Sequence, residues 1–160
     1  MEGMTNQSTK AAIYEVGYRG MKNERDLKLA AARVANSIVV DVRISPGRPF
    51  IPFNSSRLRD LLGDGYLWVR DLGNLNYRSY DEPKKIADLE SGITQVLAQI
   101  EAGRTPILMC ACGDFHECHR RDVALALLER LPDAAIVPLP WGPKTLFDDA
   151  PPSCAPVSPE

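Results

Sequence analysis

Both histidines of this 160-residue chain and three of its four cysteines lie in one stretch, Cys110-Ala111-Cys112-Gly113-Asp114-Phe115-His116-Glu117-Cys118-His119-Arg120-Arg121-Asp122. Thiols, imidazoles and guanidiniums are the groups that perform nucleophilic, acid–base and anion-binding chemistry. Cys110 and Cys112 are two residues apart, so at the end of a strand their side chains face the same way. Gly113 and Asp114 then permit a sharp turn, and Cys118 falls near the first turn of the next helical stretch. Unpaired N–H groups and the positive dipole end at a helix start favour a bound anion and a thiolate. The pattern predicts Cys112 or Cys118 as nucleophile, His119 as general acid or base, and Arg120 as an anion holder. The plainer reading is that the cysteines pack as small apolar residues, Cys110 inside its strand above all, and that His119 and Arg120 decorate a solvated helix end.

Three other chemistries use the same residue types. Zinc takes thiolate and imidazole ligands, but structural sites usually pair Cys-x2-4-Cys with a second, distant pair, and here every candidate is local. No metal and no cofactor is therefore assigned, and a metal-binding protein built on the Cys/His segment stays an alternative. A thiolate in an amide cradle closed by Cys-x5-Arg is absent, because the sixth residue after Cys110 is His116 and that after Cys112 is Cys118. On the same spacing Cys112 and Cys118 are a candidate redox pair.

Helices and strands must position this segment. Ala12 to Val16 is a short apolar run ending at Gly17-Tyr18-Arg19-Gly20, a strand followed by a turn. Residues 24–35 carry Leu27, Ala31 and Val34 at helical spacing. Ser37 to Arg43 reads as a strand buried on both faces. A proline-rich loop, 44–54, leads to a helix capped by Ser55 or Ser56, and Tyr66 to Arg70 is the third strand. Asp81 and Pro83 are the expected opening of a helix over Lys84 to Ala102, ended by Gly103. Pro106 to Ala111 is the fourth strand, residues 118–131 a helix with Val123, Ala124, Leu127 and Leu128 on one stripe, and Ala135 to Leu139 the last strand. Strands alternating with helices predict an α/β fold: a doubly wound, mainly parallel five-stranded sheet with helices on both faces, a Rossmann-like or flavodoxin-like three-layer sandwich. Strand order is not legible in this pattern. Residues 1–139 read as one domain and 140–160 as a proline-rich extension in which Cys154 has no evident role.

Ligands of such sheets bind beyond the carboxyl ends of the strands. The exits here carry Tyr18 and Arg19, Asp41 and Arg43, Asp71 and Gly73, and the Cys110 to Arg121 segment. Arg19 and Arg43 join Arg120 as expected anion holders, with Tyr18 and Asp41 beside them. A carboxylate at the end of a buried strand must be paired, and Arg43 on the same face is the obvious partner for Asp41. Arg48 and Arg57 could complete a cationic rim. The expected guest is an anionic small molecule, phosphate-bearing or nucleotide-like. A non-enzymatic nucleotide or nucleic-acid binding module, with Tyr18, Tyr77 and Tyr80 stacking on bases, is the alternative. With 19 basic and 21 acidic residues the net charge is -2, which gives no global pull toward nucleic acid or anionic membrane. Met1 to Lys10 has no apolar signal core and no run approaches the roughly 18 apolar residues of a membrane span, so a cytoplasmic protein is expected. Oligomeric state is not legible.

Several of these residues together resemble a family catalogued as domain of unknown function 488. The likeness runs over most of residues 12–131. It rests on Tyr14 with Gly17-Tyr18, on Val40-Asp41-Val42-Arg43 with Pro46, on Asp71-Leu72-Gly73, and most specifically on Cys112 with Cys118-His119-Arg120. The resemblance implies a compact α/β fold that gathers those positions at one sheet edge; it brings no reaction. In the family pattern an acidic residue closely follows the first cysteine, and here Gly113-Asp114 occupies that place.

Overall fold

The computed structural model describes residues 11–79 and 81–142. Tyr80, Cys154 and the expected extension beyond residue 142 lie outside them. Five strands, β1 (Ala12–Gly17), β2 (Ser37–Asp41), β3 (Tyr66–Trp68), β4 (Thr105–Cys110) and β5 (Ala135–Pro138), form one parallel sheet in the order β3-β2-β4-β1-β5. Four helices connect them: α1 (Glu24–Ala32), α2 (Ser55–Leu62), α3 (Leu89–Glu101) and α4 (His119–Arg130). The chain is an α/β protein with a doubly wound, three-layer arrangement. Among the described residues no helix is long and apolar enough to cross a membrane.

Because successive strand residues point to opposite faces, each central strand feeds two cores. Ile38, Val40 and Leu108 pack with Ile93 and Val96 of α3 and with Val123, Ala124 and Leu127 of α4. Val39, Ile107 and Met109 pack with Leu27, Ala30 and Ala31 of α1 and Leu58 of α2. Burial on both faces explains the unbroken apolar runs of β2 and β4, as expected for parallel strands.

Local chemistry sets the helix starts, and it corrects two expectations. Asn54, not a serine, caps α2, its side chain accepting from the Ser56 N–H at 2.9 Å. The helix α3 begins at Leu89 rather than Lys84, with Asp88 as its cap. The intervening residues are held extended by Asn74, whose side chain accepts from the Lys85 N–H at 3.0 Å, and by the Leu75 N–H to Lys85 carbonyl bond at 2.8 Å. Backbone amides engaged in those bonds do not enter a helical ladder.

The connections from β1 and β4, which are neighbours in the sheet, run through helices on opposite faces of it. Their carboxyl ends therefore diverge and open a crevice, the place where sheets of this kind bind ligands.

Candidate functional site

The crevice is a cleft of about 600 Å³ at the carboxyl edge. Its floor is the β4 exit, with Cys110, Cys112, Cys118 and His119 among the lining residues. Tyr18 and Arg43 line one flank, and Arg48, Tyr77 and Lys84 the outer walls, together with Glu82 and Glu117.

The floor depends on how closely two backbones approach. Gly17, last residue of β1, lies so near the β4–α4 loop that a Cβ built on it would stand 1.7 Å from the Cys112 carbonyl oxygen. The same oxygen accepts a hydrogen bond from Arg120 Nη1 at 2.8 Å. Arg120 Nε donates to Glu15 Oε2 at 2.7 Å, and both side chains of this ion pair are buried between β1 and α4. Glu15 is on the α4 face because it is two residues from Ile13, which faces the same core. Phe115 lies over the Arg120 guanidinium at 5.6 Å, and Asp114 accepts from the His116 N–H at 2.9 Å, shaping the turn between.

This anchoring gathers three sulfurs. Sγ of Cys110, Cys112 and Cys118 all lie within 4.8 Å of one another. Cys110 and Cys118 are buried and Cys112 is exposed. His119, first residue of α4, is 6% exposed. Its Nε2 is 2.7 Å from the Val42 carbonyl and its Nδ1 4.0 and 3.9 Å from Cys110 and Cys118 Sγ. A carbonyl only accepts, so Nε2 carries the proton and the Nδ1 lone pair is turned to the sulfurs. Cys118 is the N-cap of α4, in extended geometry and with no side-chain capping bond of its own, which leaves its sulfur directed into the cluster.

Three thiols this close titrate together. S–H donation from Cys110, then from Cys118, holds the Cys112 thiol far below the ordinary value. Cys110 is pushed up, first by its hydrogen bond to Cys112, and Cys118 by its bonds to Cys110 and then Cys112. The first negative charge of the cluster thus settles on its exposed member. For His119 burial acts to lower the pKa, but contact with Cys118 and the bond to Val42 outweigh it, and the net shift is upward.

The β2 exit is a second polar knot. All five N–H groups of Arg43 are engaged: Nε with Asp41 Oδ1 at 2.8 Å, Nη2 with Asp41 Oδ2 at 2.7 Å and the Phe53 carbonyl at 2.6 Å, and Nη1 with Tyr18 Oη and the Pro52 carbonyl, each at 3.3 Å. Tyr66 donates its hydroxyl to Asp41 Oδ2 at 2.5 Å. Burial, then the Asp41 charge, raises the Tyr66 pKa well beyond the phenol range. Phe53, at a positive φ of 56°, stacks on Tyr18 with ring centroids 4.2 Å apart. Burial raises the Tyr18 pKa, with Arg43 opposing.

The structure brings Tyr18, Arg43, Cys112, Cys118 and His119 to one cleft. Arg43 contributes a wall whose donors are committed to protein acceptors, with Asp41 buried behind it as its partner. Arg120 lies beneath the floor and not in it. Arg19 is exposed and is not among the cleft residues, its aliphatic stem lying against the Gly113 turn. Arg57 sits on α2 beside Glu24, 3.6 Å away, and is not among the cleft residues, whereas Arg48 is. Asp71 accepts from Ser91 Oγ at 2.6 Å and Gln95 Nε2 at 3.0 Å, tying α3 to the β3 exit.

Glu15, Tyr66, Lys84 and the Val42 carbonyl are site residues that spacing does not reveal. An acid within the apolar run Ala12 to Val16 was the one available signal for Glu15. Tyr66 meets Asp41 only through the β2–β3 register, in which Val39 pairs with Tyr66.

A family described as "Domain of unknown function DUF488" matches residues 24–127. The matched segment runs from the start of α1 into α4, so it holds the β2 and β4 exits and leaves out Gly17 and Tyr18. No curated protein and no solved structure matches the chain.

Proposed function

Since the chain belongs to the domain of unknown function DUF488 family, a kinship that names no reaction, we propose from the geometry that it is a small-molecule enzyme with Cys112 as nucleophile. An anionic ligand, phosphate-bearing or nucleotide-like, enters the cleft at the carboxyl edge of the sheet. The observation that carries this reading is that, of the three cysteines lining the cleft, Cys112 is the one exposed residue. Its sulfur supplies an electron pair to an electrophilic centre of the ligand. The new S–X bond forms as the bond to the leaving group breaks, and the leaving group departs with the bonding pair. In the metal-free protein the proton given up by the thiol cluster rests on His119 Nδ1. With Arg43 and Arg120 engaged internally, Arg48 and Lys84 are the cations that meet the anionic end of the ligand. Glu82 and Glu117 on the same rim balance them, so local contact and not a net field gives the preference.

Alkylation of the reduced, metal-free protein by iodoacetate and by iodoacetamide, with sites assigned by mass spectrometry, tests both parts. Cys112 is expected to react first. Its iodoacetate-to-iodoacetamide rate ratio should exceed that of free cysteine and should fall in Arg48→Ala and Lys84→Ala. Slow modification of Cys112 removes the nucleophile. A ratio equal to that of free cysteine removes the anionic guest.

A further inference from the structure

The floor of the cleft holds four soft or borderline donors in one place: three sulfurs within 4.8 Å of one another and an imidazole nitrogen at 4.0 and 3.9 Å from two of them. We propose that Cys110, Cys112, Cys118 and His119 Nδ1 form a tetrahedral zinc site. Zinc–sulfur bonds of about 2.3 Å and zinc–nitrogen bonds of about 2.0–2.1 Å give a tetrahedron with edges of roughly 3.5 to 3.8 Å. The three sulfurs therefore need a contraction of about 1 Å, and the imidazole nitrogen one of roughly 0.5 Å toward Cys110 and Cys118, to reach that geometry. The local spacing that argued against zinc is overcome because the chain reverses at Gly113-Asp114 and returns Cys118 to the strand end that bears Cys110.

Two features of the site point to the same ion. The Val42 carbonyl holds the Nε2 proton of His119, and this is the outer-shell arrangement that fixes a metal-binding histidine and frees its other nitrogen. Three thiolates and one imidazole, the ligands that zinc shares with other thiophilic ions, converge with no carboxylate in the cluster among the described residues. Cys110 and Cys118 are buried residues and Cys112 an exposed one, all three lining the cleft, so the ion would sit at the cleft floor with Cys112 as its open edge. Zinc would hold Cys112 as a thiolate, and the electron-rich ligand set would keep that sulfur nucleophilic. The inference does not depend on Cys112 reacting with anything.

Apart from Cys110 and Cys118, the buried core that holds them is aliphatic, so a folded metal-free form should be obtainable, and circular dichroism checks it. Protein purified without chelator from zinc-supplemented cells is analysed for metal, and the metal-free form is titrated with cobalt(II) under reducing conditions. One zinc per chain is expected. Cobalt should give tetrahedral d–d bands with thiolate-to-cobalt charge transfer. Cys112→Ser, at an exposed position, should lose about one third of the charge-transfer intensity and bind cobalt at least roughly tenfold more weakly. His119→Asn should shift the d–d bands while keeping the charge-transfer band, and Cys154→Ser should change neither. A folded chain that takes up neither zinc nor cobalt overturns the site, as does metal whose spectrum and affinity are unchanged in Cys112→Ser. The alkylation of metal-free protein described above reads the nucleophile independently of either result.

Discussion

Gly17→Ala is the most discriminating single perturbation of the cleft floor. Gly17 has no positive φ, so an alanine there suffers no backbone strain. By propensity alone it should stabilise β1 by about 0.5–1 kcal/mol. The structure reverses that sign. The new methyl would lie 1.7 Å from the Cys112 carbonyl oxygen, 2.8 Å from its carbon and 3.2 Å from Arg120 Nη2. Ordinary carbon–oxygen contact needs about 3.2 Å or more, so the loop or the strand must yield by roughly 1.5 Å. The two closest atoms belong to one backbone carbonyl, not to a flexible side-chain end, and that carbonyl is held by its hydrogen bond from Arg120. Overpacking of this kind costs about 1–3 kcal/mol, and displacement of the Cys112 carbonyl from Arg120 costs a charge-assisted bond worth about 1.5–3 kcal/mol. The two losses share one movement, so a total near 3 kcal/mol is expected, or a melting temperature lower by roughly 6–12 °C for a chain of this size. Gly65→Ala is the control: its nearest neighbour would be the Ser37 carbonyl at 3.9 Å, and it should be neutral or mildly stabilising. Thermal unfolding by circular dichroism measures both. A Gly17→Ala protein that melts within a degree of the parent would refute the close approach of β1 to the Cys112 loop, and with it the account of how the sulfurs are gathered.

Two further outcomes follow from the buried charges. Arg120→Met leaves Glu15 buried without its partner and should destabilise by about 3–5 kcal/mol, whereas Glu15→Met with Arg120→Met should recover much of that loss in denaturant unfolding; equal destabilisation of single and double variants would contradict a paired origin. Tyr66 is held protonated in the fold, its pKa raised by burial and by Asp41, while an unfolded tyrosine ionises near pH 10. Its stabilising contribution is thus fully present below about pH 10 and is lost as pH rises above that value, so Tyr66→Phe should be less stable than the parent at neutral pH by about 1.5–3 kcal/mol and the gap should narrow in alkali, as followed by urea unfolding at a series of pH values.

Much of this protein is legible along the chain. Alternating apolar runs and amphipathic stretches give the strands and helices, because burial on both faces of a parallel sheet leaves β2 and β4 uniformly apolar and stripes the helices. The density of Cys, His and Arg after the fourth strand locates the cleft, since open sheets bind at strand exits. The pairing of Asp41 with Arg43 follows from a spacing of two and the cost of burying a lone carboxylate. Tertiary structure alone decided how each charge is used. Arg43 and Arg120 have the same chemistry as a ligand-holding arginine, but, Asp41 apart, their acceptors, the Phe53 and Cys112 carbonyls and the Glu15 carboxylate, lie far away in sequence or on the backbone, where no residue pattern marks them. Lys84 reaches the cleft only because Asn74 keeps residues 84–88 out of α3. The grouping of Cys110 with Cys118 depends on a loop whose reversal is set by contact with Gly17, nearly a hundred residues earlier. Local spacing encodes which groups are present on a strand exit; which of them remain available for a ligand depends on non-local partners, and those exist only once the sheet is assembled.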